Sequence, residues 1–225
     1  MTPFRSFLAV CVGMLLFCCA TETHRALTPT RTNVAGTSYS GERYTLVVGK
    51  FHNRSTYLRG IFSDGVDRLG SQSKTILKTH LQETNRFVLV DRANMDEIAQ
   101  EAKIRDDDLA LKGAQVVLTG DVTEFGRKTT GDVALFGILG AGKTQVAYAK
   151  VALNVVDVRT SEIIYAATGA GEYALSNRQV LGTGGSAGYD ATLNGKVLDL
   201  AVREAVERLV EGLEMGRWHP TSAGR

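Results

Sequence analysis

Hydrophobic and polar residues alternate with a period of two along three consecutive segments between Gly113 and Tyr173. The alternation is clearest from Gln145 to Val155, where every second residue is Ala, Val or Leu. Successive side chains of a strand point to opposite faces, so this pattern predicts strands with one buried face. The polar segment from Arg159 to Glu162 is typical of a tight turn. Together these features predict an antiparallel β-meander.

Upstream of the meander, the periodicity alternates between strand and helix. Short apolar segments predict strands at Tyr44 to Lys50 and at Arg86 to Arg92. Between them, Ser63 to Asn85 carries apolar residues spaced for one face of a helix. Ala93 to Ile104 predicts a shorter helix, and its inward-facing residues are expected to be Met95, Ile98, Ala99 and Ala102. The short connections in this β-α-β-α-β half predict parallel pairing.

A final helix is predicted from Asn194, its expected N-cap, to about Leu213. Its apolar stripe consists of Leu198, Ala201, Val202, Ala205, Leu209 and Leu213. The fold class is therefore α/β, with a mixed sheet made of a β-α-β-α-β half and an antiparallel meander, followed by the helix. We expect one folded domain at residues 43–216 and a tail at residues 217–225.

The N-terminus has the features of a targeting segment. Arg5 supplies a positive charge, and Phe7 to Phe17 is an uncharged apolar run of the length found in signal peptides, too short to span a bilayer. It ends in Leu-Phe-Cys-Cys, which resembles a bacterial lipobox. Cys19 is the predicted acylation site and Cys18 the alternative; ordinary secretory cleavage is the competing interpretation. Residues 1–18 are then the signal peptide, and residues 19–42 form a polar, flexible tether.

These N-terminal positions hold all three cysteines of the chain, so the sequence predicts no disulfide framework and no cysteine-based metal site. Ala20 stands where an Asp would favour inner-membrane retention, which indicates the periplasmic side of the outer membrane. The net charge of +2 is spread over scattered basic residues. Nucleic acid is therefore not an expected partner.

A nucleotide-binding pattern occurs from Gly137 to Thr144, where GILGAGKT satisfies G-x-x-x-x-G-K-[ST]. A P-loop cradles phosphate because it opens directly into a helix N-terminus. The residues after Thr144 instead alternate as in a strand. We therefore predict a Gly-rich hairpin tip here, and nucleotide binding is the weaker alternative.

Other chemical patterns are also weak. Gly184 to Gly188 matches the nucleophile-elbow pattern G-x-S-x-G. An elbow needs a strand before the serine and a helix after it, whereas Ser186 is expected in a Gly-rich loop. Asp199, the candidate acidic partner, is expected at a surface-facing helix position. Asp106 to Asp108 lacks the alternation of a calcium loop and is typical of a solvated helix end. The histidines are expected to be solvated single residues: His24, His52, His80 and His219. We expect no catalysis, cofactor or metal.

Several segments, taken in order, resemble a known family. They are GKFHNRS, GIFSDGVDRLGSQSKTILKTHLQETNRFVLVDRANMDEI, VLTGDVTEFG and VDVRTSEIIYAATGAGEYALSNR. Behind a lipobox, this ordered set is similar to the CsgG/HfaB family of outer-membrane lipoproteins, over roughly Tyr44 to Gly216. The resemblance implies a periplasmic α/β domain in a ring of subunits. It also implies a shared transmembrane β-barrel through which unfolded proteins leave without nucleotide hydrolysis.

Under this resemblance, each subunit contributes two hairpins to the barrel, here Thr123 to Val151 and Ala166 to Thr192. In the first, Val133, Leu135, Phe136 and Ile138 are expected to face Val146 and Tyr148, with Ala147 and Ala149 directed at lipid. A barrel strand needs alternating lipid-facing apolar residues over about 9–11 positions. The second hairpin is interrupted by four glycines between Leu175 and Tyr189, which weighs against pore formation.

The loop after the first strand carries channel-narrowing side chains in curli-type members of the family, which makes Tyr57 and Phe62 candidate constriction residues. Anchoring of that loop on the core is the alternative. At the level of function, the resemblance implies an oligomeric component of secretion or envelope assembly that meets exported substrate or other envelope proteins. The competing hypothesis is a monomeric binding lipoprotein of the LpoB type, which docks a partner without forming a pore.

Overall fold

A mixed five-stranded sheet is the centre of the fold. The computed structural model describes residues 30–57, 65–133, 141–179 and 192–221. Within these ranges the elements follow in the order β1 (Tyr44–Asn53), α1 (Arg68–Thr84), β2 (Phe87–Val90), α2 (Met95–Arg105), β3 (Val116–Val133), β4 (Ala141–Asp157), β5 (Ile163–Gln179) and α3 (Thr192–Glu214).

The strand order in the sheet is β2-β1-β3-β4-β5. Strand β1 pairs in parallel with both β2 and β3, as Tyr44 opposite Phe87 and Leu46 opposite Val116 show. Strands β3, β4 and β5 pair antiparallel. Both halves of the predicted fold, the parallel β-α-β-α-β unit and the meander, are therefore confirmed.

The core lies between one face of this sheet and helices α1 and α3. The alternation in β4 predicts its buried face correctly, since these residues are all at most 2% exposed: Ala147, Ala149, Val151, Leu153 and Val155. The predicted stripe of α3 is buried as well, from Leu198 to Leu213. At Gly169 the helix lies directly on β5, because a Cβ atom there would overlap the backbone of Ala201 and Ala205.

Two details of the predicted helices are wrong. Helix α3 begins at Thr192, so Asn194 lies inside the first turn and is not the N-cap. In α2, the expected inward residues Met95, Ile98 and Ala102 are half-buried, whereas Ala99 is exposed, and no residue of the helix is fully buried. Two of the four expected residues are alanines, which offer little apolar area for packing.

Helix α1 begins at Arg68, later than the expected Ser63, because Asp67 caps it. The Asp67 carboxylate accepts hydrogen bonds from the backbone N–H of Gly70 at 2.7 Å and of Asn53 at 2.7 Å. This N-cap joins the start of α1 to the end of β1. None of the helices in the described ranges is long and apolar enough to cross a membrane.

The residues expected to form a C-terminal tail belong in part to the domain. Trp218 is 3% exposed and stacks against Phe87 and Tyr165. Its indole N–H donates to the carbonyl of Leu209 at 3.2 Å. Beyond it, the backbone N–H of Thr221 donates to the carboxylate of Asp157. The lone Trp is therefore a core residue whose partners are distant in sequence.

Candidate functional site

The meander strands are much longer than the usual five or six residues. Their pairing continues to Val133 opposite Ala141 and to Ala141 opposite Gln179. Lys196, in the second turn of α3, lies 5.2 Å from the ring centre of Tyr173. The three strands continue for six residues past this level, which is about 20 Å. We call residues 128–133, 141–146 and 174–179 the strand extension.

The register corrects the predicted hairpin contacts. Val146 pairs with Lys128 and Tyr148 pairs with Gly126, so neither lies opposite the tip. Ala147 and Ala149, expected to face lipid, are 0% and 2% exposed in the core. They continue the same buried face of β4 that packs against the helices, and this packing decides their environment.

The second predicted hairpin, Ala166 to Thr192, is described only in its first limb. Residues 166–179 of that limb pair with β4, and residues 180–191 lie outside the described residues. Lys143 and Thr144 of the P-loop pattern belong to β4, where they pair with Gly131 and Thr130. The prediction that a strand follows this motif is confirmed, and the strand already includes the second half of the motif, whereas residues 137–140 lie outside the described residues.

The loop after β1 is fixed by a small polar network. The side-chain oxygen of Asn53 accepts hydrogen bonds from the backbone N–H of Ser55 at 3.0 Å and from its hydroxyl at 2.6 Å. The Asn53 amide donates to the carbonyl of Tyr57 at 3.0 Å. Asn53 and Ser55 are both buried. The first residues of the loop are therefore held in one conformation.

Tyr57, one of the candidate constriction residues, is half-buried against the core. Its ring centre lies 4.6 Å from that of Phe125, and its hydroxyl accepts a hydrogen bond from the Asn194 amide at 3.4 Å. This geometry supports the anchoring alternative for Tyr57. The other candidate, Phe62, and the predicted acylation site Cys19 both lie outside the described residues, as does Ser186.

The predicted tether is docked along α3 from its first described residue. Residues Thr30–Thr37, which we call the strap, run in the same direction as the helix. The Thr30 hydroxyl donates to Asp199. Asn33 donates from its backbone N–H and its side-chain amide to the two oxygens of Glu207, at 3.0 and 3.1 Å. Between them, Thr32 is 4% exposed. Residues 30–37 are therefore part of the folded domain.

Arg86 binds the C-terminal end of the strap through hydrogen bonds. Its guanidinium donates to the hydroxyl of Thr37 at 2.7 Å and to the carbonyl of Val34 at 3.4 Å. It also pairs with Glu214 at the end of α3, at 2.7 Å, while the Arg86 side chain is only 6% exposed. A buried guanidinium needs several acceptors, and this one joins the strap to α1 and α3.

His80 and Asp199 correct two further predictions. His80 is 3% exposed, and its Nε2 lies 2.9 Å from the Asp199 carboxylate, so it is not a solvated single residue. Asp199 is only 25% exposed, so it is not surface-facing. Burial acts to raise the pKa of Asp199, but the hydrogen bonds from His80 and Thr30 hold it below its ordinary value. Asp199 therefore links α1, α3 and the strap.

Sequence reasoning did not find the strap, although a signal existed. Asp199, Glu207 and Glu214 are spaced by eight and seven residues, close to two helical turns, which places them on one side of α3. An acidic stripe of this kind indicates that a segment with hydrogen-bond donors packs along the helix. The identity of the partner follows only from the fold, because the strap is about 170 residues away in sequence.

The chain is 60% identical over 202 residues to "Putative lipoprotein NMB1126/NMB1164" of Neisseria meningitidis serogroup B (strain ATCC BAA-335 / MC58), with 90% of this chain and 91% of the relative covered. Among solved structures, the PelC dodecamer from Paraburkholderia phytofirmans is 13% identical, with a TM-score of 0.36 and coverage of 73% of this chain and 87% of that chain.

The LpoB C-terminal domain from Salmonella enterica is 18% identical, with a TM-score of 0.33 and coverage of 58% of this chain and 85% of that chain. These structural similarities are low, so family membership depends on the sequence. The family model of the curli production assembly/transport component CsgG matches residues 31–223. The chain therefore belongs to the CsgG family.

Proposed function

We propose that this protein is a lipid-anchored component of the Gram-negative outer membrane, on its periplasmic side, and acts as a homo-oligomer in protein secretion or envelope assembly. The match to the CsgG family over residues 31–223 is the observation that carries this proposal. The name of the 60% identical relative, a lipoprotein, supports acylation of Cys19 within the lipobox. Several acyl chains on one residue would give a stable anchor, whereas a single chain gives only marginal binding.

The strand extension supports the assembly role. It projects about 20 Å past the level of Lys196 in α3, and β5 is the last strand in the sheet order of the described residues. A long edge strand is a template for pairing with another chain. In the proposed oligomer, the extensions of neighbouring subunits lie side by side around a common axis, and exported protein passes through or docks there without catalysis.

The mass of the detergent-extracted protein tests the oligomer. The acylated protein is extracted in mild detergent, and its mass is measured by light scattering after gel filtration. A species of many copies of the mature subunit supports the proposal. A monomer at all concentrations up to tens of micromolar contradicts it.

One observation favours the alternative, a monomeric lipoprotein that docks an envelope partner. In a membrane-spanning strand every second residue faces lipid and is apolar. By register, the strand extension has two alternating sets of positions, and the sequence places charged residues in both. Lys128, Asp132 and Arg178 belong to one set and Lys143 to the other. Neither set is uniformly apolar in sequence, which favours docking over a lipid-embedded strand.

Accessibility of the extension separates the two functions. Cysteines are placed one at a time at Thr144, Gln145 and Val146 and treated with a charged maleimide in outer-membrane vesicles opened to the reagent. Alternating protection along the strand would support a lipid-embedded pore. Uniform labelling, together with a monomeric mass, would support the docking module.

A further inference from the structure

The strap occupies eight residues that would otherwise lengthen the connection to the lipid. Ten residues, 20–29, separate Cys19 from Thr30, whereas twenty-four, 20–43, separate it from the start of β1. A fully extended chain spans at most about 3.3–3.6 Å per residue, which gives roughly 35 Å for the first length and roughly 80 Å for the second. Docking of the strap more than halves the reach of the tether.

The contacts of the strap also define the point at which the connection to Cys19 leaves the domain. Thr30 contacts Asp199, in the second turn of α3, and Arg203 donates to the carbonyl of Arg31 at 3.5 Å. This is the half of α3 that lies next to Tyr173, where the strand extension begins. The strap and the extension therefore leave the domain toward the same end.

We propose that the strap is a leash-shortening device, which holds this end of the domain within about 35 Å of the lipid surface. The inference depends on the proposed acylation of Cys19. Asp199 and Glu207 are positioning residues, because they bind the strap and do not contact lipid. Their contacts fix which face of the domain meets the membrane, and release of the strap gives the domain freedom to turn and to move away.

Glu207→Ala is the test substitution, because it removes both acceptors of Asn33 and changes no core residue. Glu211→Ala is the matched control, because Glu211 is an exposed glutamate one turn further along α3 and is not a strap partner. Hydrogen exchange is followed by mass spectrometry in the peptide that covers residues 30–37. Two lost hydrogen bonds to a carboxylate are expected to raise its exchange rate by about tenfold or more. Exchange in β4 is expected to stay unchanged in both variants.

Distance from the membrane is measured by energy transfer in the same acylated proteins, reconstituted in phosphatidylethanolamine and phosphatidylglycerol vesicles. A dye is attached to a cysteine introduced at exposed Gln72 of α1, and the acceptor is a labelled lipid headgroup. Glu207→Ala is expected to lower the transfer efficiency, and Glu211→Ala is expected to match the wild type. Unchanged strap exchange in Glu207→Ala, or raised exchange without a change in transfer, would overturn the proposal.

Failure of the proposed acylation is seen separately, as absence of lipid on the protein by mass spectrometry. The exchange rate of the strap is measured on the same chain with or without lipid. If protein purified from membranes carries no lipid, the proposed anchoring is contradicted and the leash role with it, whether or not the strap is docked. An undocked strap on an acylated chain would contradict the leash alone.

Discussion

Replacing Tyr57 by Ala distinguishes a loop anchor from an exposed constriction residue. Full burial of a large apolar side chain is worth about 1.5–3 kcal/mol, of which half-buried Tyr57 accounts for about half. The ring pair with Phe125, at 4.6 Å, adds about 0.5–1.5 kcal/mol. The variant should therefore lose about 2 kcal/mol of unfolding free energy. For a domain of this size, that lowers the Tm by about 4–8 °C.

Urea denaturation followed by the fluorescence of Trp218 measures this loss, because Trp218 is the only tryptophan and is buried. Tyr57→Phe is the control. It keeps the ring contact and removes the hydroxyl, including its long hydrogen bond with Asn194, so its cost should be about 1 kcal/mol, below that of Tyr57→Ala. Unchanged stability of Tyr57→Ala would refute the anchoring argument and restore the constriction interpretation.

Three further changes give distinct outcomes. Backbone hydrogen bonds, the largest from Thr221, lower the pKa of Asp157 from 3.8 to about 2. The ionised Asp157 therefore stabilises the fold fully above about pH 4, and this stabilisation is lost as the pH falls toward 2. Asp157→Asn should be less stable than the wild type at pH 7, and acid-denaturation curves should show the difference in unfolding free energy closing near pH 2. Gly169→Ala should destabilise the protein by about 2–3 kcal/mol in urea because its Cβ meets the α3 backbone, whereas Gly113→Ala, in open space, should be nearly neutral. Cys19→Ser should abolish acylation and release the protein from membranes, and persistent lipid on Cys18 would contradict the choice of cysteine.

Local pattern was sufficient for most of the architecture. The period-two alternation of β4 identifies its buried face, and the stripe of α3 identifies the residues that cover the sheet. These signals are short-range, since a strand or helix repeats its exposure every few residues. The sequence also predicts a strand after the P-loop pattern, because the residues beyond Thr144 alternate and do not follow a helical period.

Tertiary structure decided the environment of residues whose partners are far away in sequence. Thr30 and Asn33 have the composition of a flexible tether, yet they dock on carboxylates about 170 residues away. His80 can be buried because Asp199 on another helix accepts a hydrogen bond from it. Trp218 becomes a core residue only when the fold brings Phe87 of β2 and Tyr165 of β5 against its ring. The composition of a segment predicts only its average exposure to solvent. Whether a single polar side chain is buried depends on which hydrogen-bond partners the fold brings within about 3 Å of it.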